Sequence, residues 1–65
     1  MNKNIEEYPF MLTADHVAEI LRVSKPTAYE LMNLKSFPLI KINKRSKRVL
    51  KSEFFIWLQE QQQNK

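Results

Sequence analysis

The chain has 65 residues, of which 43% are apolar, so it suffices for one small domain whose core must come from ordinary apolar side chains. It contains no cysteine and one histidine, which excludes disulfides, thiolate metal sites and a zinc site built from histidines, and no metal or other cofactor is expected. The absence of glycine excludes phosphate-binding P-loops and dinucleotide-binding fingerprints, and no apolar run is long enough to span a membrane.

The net charge of +4 is unevenly distributed. Residues 1–21 carry one lysine against four acids, whereas residues 41–51 carry six cations and no acid. Such a basic segment is either a solvated surface or a contact region for a polyanion, namely nucleic acid or an acidic membrane surface. Since the first residues lack the layout of a signal peptide, we expect a cytoplasmic protein.

The two ends of the chain are predicted to lie outside the folded domain, which we place at residues 11–60. Residues 1–10 are expected to form a flexible arm, because Pro9 prevents a helix from continuing through it. Tyr8 and Phe10 are expected to dock on the core. Residues 61–65 form a polar tail that extends or frays a terminal helix.

The first helix is predicted over residues 14–21. Thr13 is a suitable N-cap, and Asp15 suits the positive end of the helix dipole. Apolar residues recur with helical spacing and give one buried face, formed by Ala14, Val17, Ala18 and Leu21. His16 is expected to be a surface or cap-adjacent residue, since no catalytic partner is visible.

A second helix is predicted after a short connection at Arg22 and Val23, with Ser24 as its N-cap and Pro26 in its first turn. Two helices this close in sequence form a helix-turn-helix, whose second helix enters the DNA major groove. Ala28, Leu31 and Met32 are its inner stripe. The candidate DNA contacts of this recognition helix are Ser24, Lys25, Thr27, Tyr29 and Glu30. Glu30 either accepts from a cytosine amino group, pairs with a lysine or lies outside the groove.

A basic β-hairpin is predicted next, with strands at residues 39–42 and 48–50 joined by a turn at residues 43–47. Asn43 is expected to adopt the left-handed conformation that glycine would otherwise supply. The hairpin is the wing of a winged helix-turn-helix, able to reach the minor groove or the phosphate backbone. Its candidate DNA contacts are Lys41, Lys44, Arg45, Lys47 and Arg48. For Lys41 and Lys51, an equally good explanation is that they keep the sheet edge and the helix start soluble.

The last helix is predicted to begin near Lys51 or Ser52 and to run to about Gln62. Its buried stripe is Phe54, Trp57 and Leu58, with Phe55 and Ile56 at the edges of that stripe. No catalytic constellation accompanies these elements: four serines share one possible histidine base, and the acids form no obvious pair. The sequence therefore predicts a non-enzymatic, mainly α protein with a small β-hairpin.

The order of these motifs resembles a known family. The stretch LTADHVAEILRVSKPTAYELM at residues 12–32 is similar to the MerR-like helix-turn-helix of excisionase-family proteins, which carry L-T-x-x-x-x-A-x-x-L-x-V-S-x-x-T-x-Y-x-L. FPLIKI at residues 37–42 and EFFIWL at residues 53–58 look like the wing and closing helix, and AlpA-type phage regulators share the "F-P" and "W-L" features. The resemblance covers about residues 11–60. Departures are Asn33–Ser36 and Asn43 at positions where the family often has glycine, and Glu30 where a basic residue is common.

The resemblance implies an excisionase, a recombination directionality factor. Such a protein binds and bends attachment-site DNA, often cooperatively, and helps an integrase excise a phage or mobile element. A small phage or plasmid transcription regulator with the same fold is the alternative, and sequence does not separate the two. A protein-interaction adaptor that uses the Phe55 face is a further alternative. A membrane-surface role is the weakest, because no helix pairs a basic face with an apolar one.

Overall fold

The computed structural model describes residues 4–63, which form a winged helix-turn-helix as predicted. A short 3-10 helix at Ile5–Glu7 precedes strand β1 at Met11–Leu12. The helical pair and the hairpin follow, and the chain closes with a long helix. These elements are α1 at Ala14–Leu21, α2 at Lys25–Met32, β2 at Ile40–Lys41, β3 at Lys47–Leu50 and α3 at Lys51–Gln63.

Helices α1 and α2 begin after the N-caps that the sequence predicts. The Thr13 side chain accepts from the backbone N–H of His16, and the Ser24 side chain accepts from that of Thr27. Between the helices, Arg22 adopts the left-handed conformation at φ 59° and ψ 47°, and the Val23 N–H donates to the carbonyl of Ala18. This conformation ends α1 abruptly and lets the chain turn into α2 within three residues.

The three strands form one antiparallel sheet in the order β1-β3-β2. Ile40 pairs with Arg48 and Lys41 with Lys47 in the wing hairpin. Strand β1, which the sequence did not predict, pairs with the other edge of β3, with Leu12 opposite Val49. Two residues are too few to show a strand periodicity in the sequence. β1 forms because an edge of β3 is available for pairing. β2 is shorter than the predicted strand, and β3 begins one residue earlier.

The core lies between the helical pair, β3 and α3. Leu12, Val17, Met32, Val49 and Phe54 are its largest fully buried side chains. Rings from the loop after α2 and from α3 close one side of it: Phe37 lies 4.9 Å from Trp57 and 6.0 Å from Phe54, centroid to centroid. The Trp57 indole N–H donates to the Ser36 hydroxyl at 3.1 Å, which satisfies its polar atom.

Helix α3 confirms the predicted stripe in part. Phe54 and Trp57 are buried and Leu58 is half-buried. Phe55 is also half-buried and its ring packs edge-on against that of Phe54, whereas Ile56 is 48% exposed. The helix runs into the predicted tail as far as Gln63, and residues 64–65 lie outside the described part of the chain.

The described part of the N-terminal arm is attached to the fold at Tyr8, which is buried as predicted. The Lys51 ammonium group donates to the carbonyls of Tyr8 at 3.0 Å and Ile5 at 3.4 Å. The prediction that Phe10 docks on the core is wrong, since this side chain is 72% exposed. The Tyr8 ring packs beside that of His16. The chain bends at Phe10, whose carbonyl accepts from the backbone N–H of Lys51. The first three residues of the arm lie outside the described range.

Among residues 4–63, none of the helices is long and apolar enough to cross a membrane.

Candidate nucleic-acid interface

The start of α1 is fixed by a reciprocal capping box. Thr13 Oγ1 accepts from the His16 N–H at 3.4 Å, and His16 Nδ1 accepts from the Thr13 N–H at 3.0 Å. Glutamate or glutamine is the usual third helical residue of such a box, and here an imidazole fills that role. The ring also meets Tyr8 edge-on, with centroids 5.7 Å apart. His16 is therefore a cap residue at the start of α1.

The start of α2, which we call the recognition end (residues 24–30), is fixed by similar bonds. The Ser24 hydroxyl accepts from the Thr27 N–H at 3.3 Å, and it lies 2.9 Å from the Thr27 hydroxyl. Pro26 lies in the first turn, where its missing N–H costs nothing. Thr27 is half-buried, whereas Lys25, Tyr29 and Glu30 are exposed. Ser24 and Thr27 thus use part of their hydrogen-bonding capacity within the protein.

A salt bridge joins the two helices at this end. The Lys25 ammonium group lies 2.7 Å from the Asp15 carboxylate, and both side chains are more than half exposed. The hydrogen bond and charge of Asp15 raise the pKa of Lys25 above its ordinary value of 10.5, so Lys25 is cationic at neutral pH. An exposed pair of this kind contributes little to folding, because solvent screens both charges.

The wing, which we define as residues 40–50, has a turn organised by Asn43. Its side-chain oxygen accepts from the N–H groups of Arg45 at 2.8 Å and Ser46 at 2.9 Å. The backbone of Ile42 bonds to that of Ser46 at 2.8 Å and closes the hairpin. The prediction that Asn43 adopts a left-handed conformation is wrong, because Arg22 is the one described residue with positive φ. The side chain, rather than an unusual backbone, makes the turn.

The wing concentrates cations on a short sheet. Lys41 and Lys47 stand directly opposite each other, an arrangement in which like charges repel. The Lys47 ammonium group donates to the Asn33 side-chain carbonyl at 3.4 Å, and Arg48 donates to the carbonyl of Lys47 at 3.0 Å. This register concentrates positive charge at the wing, and an anion bound there would lower the repulsion between the two lysines.

The recognition end and the wing meet at a shallow groove, which we call the wing groove. Four cations and one carboxylate lie along it, with a tyrosine ring and the capped start of α1. Its lining residues are Thr13, Ala14, Asp15, Lys25, Tyr29, Arg45, Lys47 and Arg48. The fold thus brings two segments that are distant in sequence onto one basic surface.

Five of the predicted contact residues line this groove: Lys25, Tyr29, Arg45, Lys47 and Arg48. The other five lie outside it, and these are Ser24, Thr27, Glu30, Lys41 and Lys44. Sequence reasoning assigned no interface role to Thr13, Ala14 and Asp15. In a helix-turn-helix, the first helix crosses the DNA backbone, and this general geometry could have indicated these three residues.

The described residues contain no group of three or more histidine, cysteine, aspartate or glutamate side chains able to hold a metal ion. What the wing groove offers is cationic nitrogens, a phenolic hydroxyl and capped helix starts, which are the usual donors to phosphate.

Comparison with known proteins agrees with this chemistry. Residues 11–62 match the helix-turn-helix domain family, and the chain belongs to this family, which includes excisionase-like and AlpA-type small DNA-binding proteins. No match is found among curated proteins or among solved structures. The family indicates DNA binding and is typically non-enzymatic.

Proposed function

We propose that this protein is a sequence-specific DNA-binding protein that acts as an excisionase. One observation carries the DNA-binding mode: the wing groove joins the recognition end to the wing on a single cationic surface. A duplex lying along this surface receives α2 in its major groove and the wing on the adjacent backbone or minor groove. The domain boundaries remain those proposed from the sequence, residues 11–60.

The ten predicted contacts divide into two sets in this proposal. The cations of the wing neutralise phosphates, and this contribution is independent of sequence. The recognition end presents Lys25, Thr27, Tyr29 and Glu30 to base edges and nearby phosphates, with Ser24 as cap. The wing set is Lys41, Lys44, Arg45, Lys47 and Arg48.

Size favours cooperative binding of several copies. The Cα trace extends over 29 × 29 × 21 Å, which is less than one helical turn of B-DNA at about 34 Å. The eight residues of α2 span about 12 Å, so one copy reads only a few base pairs. We propose that copies bind adjacent sites head to tail, bend the DNA and assist an integrase.

Binding is tested by affinity titrations with random duplex DNA and with attachment-site DNA of the mobile element that encodes the protein. Tighter binding to the attachment site, with copies adding cooperatively, supports the proposal. An isolated, non-cooperative and tight single-site complex contradicts the cooperative part.

The biological role is tested by an excision assay with the cognate integrase. Stimulated excision supports the excisionase role. Unchanged excision together with repression of a nearby promoter would instead support the transcription regulator. The adaptor that uses the Phe55 face is less favoured, because Phe55 is half-buried against Phe54.

A further inference from the structure

Asp15 is the one carboxylate among the described residues that line the wing groove. It lies 2.7 Å from the Lys25 ammonium group, on a surface that also carries Arg45, Lys47 and Arg48. The pair is well exposed, and exposed pairs contribute little to folding. The packing of α1 on α2 comes instead from buried residues such as Val17 and Ala28. The position of Asp15 therefore matters more for what binds in the groove than for the fold.

A phosphate that enters the groove meets this carboxylate. It must either displace Asp15 from Lys25 or bind beside a negative charge, and both alternatives weaken binding. On a random duplex, affinity comes almost entirely from phosphates, so nothing offsets this cost. On a duplex that places guanine O6 or N7 near Lys25, the lysine contacts a neutral acceptor, which the Asp15 carboxylate repels far less than it repels a phosphate, so the cost is smaller.

We propose that Asp15 is a specificity-determining residue: it competes with DNA for Lys25 and weakens binding to random duplexes more than binding to the target. This inference rests on the proposed function, since it requires DNA in the wing groove. It assigns to Asp15 a role in discriminating between DNA sequences, whereas the neighbouring cations contribute affinity for any duplex.

The test compares the wild-type protein with Asp15→Asn on two duplexes, by fluorescence anisotropy over a range of salt concentrations. One duplex has random sequence, and the other is enriched from a random pool by the wild-type protein. We expect Asp15→Asn to bind the random duplex about tenfold more tightly, with a salt dependence steeper by about one phosphate. Affinity for the enriched duplex should rise at most about twofold, so the ratio of the two affinities falls.

Glu60→Gln is the matched control. It removes one negative charge from an exposed position on α3 that does not line the wing groove. We expect it to raise both affinities by the same small factor. Thermal unfolding shows whether Asp15→Asn is folded, and Asp15→Ser, which keeps a residue that favours helix starts, replaces it if it is not.

A double-mutant cycle tests the role of Lys25. If Asp15 acts by competing for this lysine, the effect of Asp15→Asn on the random duplex falls, in a Lys25→Gln background, to the small factor expected for Glu60→Gln. The inference is overturned if the effect persists there, if it equals that of Glu60→Gln, or if both duplexes gain equally. A wild-type protein that enriches no duplex overturns the proposed function and this inference with it. A wild-type protein that enriches a duplex, while Asp15→Asn matches it, overturns this inference alone.

Discussion

The recognition end and the wing face the same groove, but their polar groups are used differently. At the recognition end the side chains are bonded within the protein: Ser24 to Thr27, and Lys25 to Asp15. In the described part of the chain, none of the wing cations forms a salt bridge, and Lys41 stands opposite Lys47. The cation of the recognition end is paired with a carboxylate, whereas the wing cations Lys47 and Arg48 donate only to neutral acceptors and have no counter-ion.

This difference implies a division of labour. Unpaired cations attract any duplex, so the wing should supply affinity. Side chains held by caps and by a salt bridge must exchange those bonds for DNA contacts, which succeeds only on a matching sequence. Mutations in the two regions should therefore have separable effects on affinity and on specificity.

The largest effect is expected from the wing cations. Arg45→Ala and Arg48→Ala should each weaken binding to random and target duplexes alike by about tenfold, and reduce the salt dependence by about one phosphate. Salt titrations measure both quantities. Lys35→Ala is the control, because this exposed lysine does not line the wing groove. Unchanged affinity in both arginine variants would show that the wing is not a DNA contact.

A smaller effect is expected when the shape of the wing is changed without altering its charge. Asn43→Gly removes the acceptor for two backbone N–H groups, so affinity for all duplexes should fall severalfold and unfolding should cost about 1 kcal/mol less. Asn43→Ser keeps a side-chain oxygen acceptor without adding charge, and it should retain most of the turn. Thermal unfolding and anisotropy measure these changes. A glycine variant as stable as wild type would mean that backbone conformation, rather than the side chain, makes the turn.

At the recognition end, specificity should change more than affinity. Thr27→Ala should leave random-duplex binding nearly unchanged and relax base preference at one or two positions, at a cost of at most about 1 kcal/mol on the target, because one hydroxyl makes fewer bonds than a bidentate side chain. Sequencing of the bound fraction of a random pool measures the preference. Thr27→Ser, which keeps the hydroxyl, should retain the wild-type preference. An equal loss on all sequences would place Thr27 among the phosphate contacts.

The smallest effect is expected at the start of α1. His16→Leu removes the acceptor of the Thr13 N–H and should lower the free energy of unfolding by about 1 kcal/mol, whereas His16→Gln restores the usual capping box. Chemical denaturation measures both variants. Equal stability of the leucine and glutamine variants would contradict a capping role for His16.

Most of the helical framework could be predicted from local sequence. Thr13 and Ser24 are strong N-caps, and apolar spacing marks α1, so both helix starts fall where expected. The helical spacing of Phe54 and Trp57 also predicts that both are buried, as they are. In these places local preference and tertiary packing agree.

The predictions that fail concern features that depend on contacts between distant parts of the chain. Strand β1 depends on an available edge of β3, and Phe10 is exposed because Tyr8 takes the core position. The sequence predicts a backbone role for Asn43, whereas its side chain makes the turn. It predicts Asp15 as a helix-dipole residue, and the salt bridge with Lys25 is visible only in the fold. The cations of the wing could be identified from the composition of the chain. Their position beside the recognition end could not be predicted, because it depends on the fold.

A salt titration of affinity shows whether the cationic surface formed by the recognition end and the wing binds duplex DNA specifically. We expect the logarithm of the affinity to fall linearly with the logarithm of salt concentration, with a slope that corresponds to about three to six phosphates. Attachment-site DNA should bind more tightly than random DNA at each salt concentration. Absent or salt-insensitive binding to both duplexes would show that this surface is not a DNA-binding site and would favour the protein-interaction adaptor.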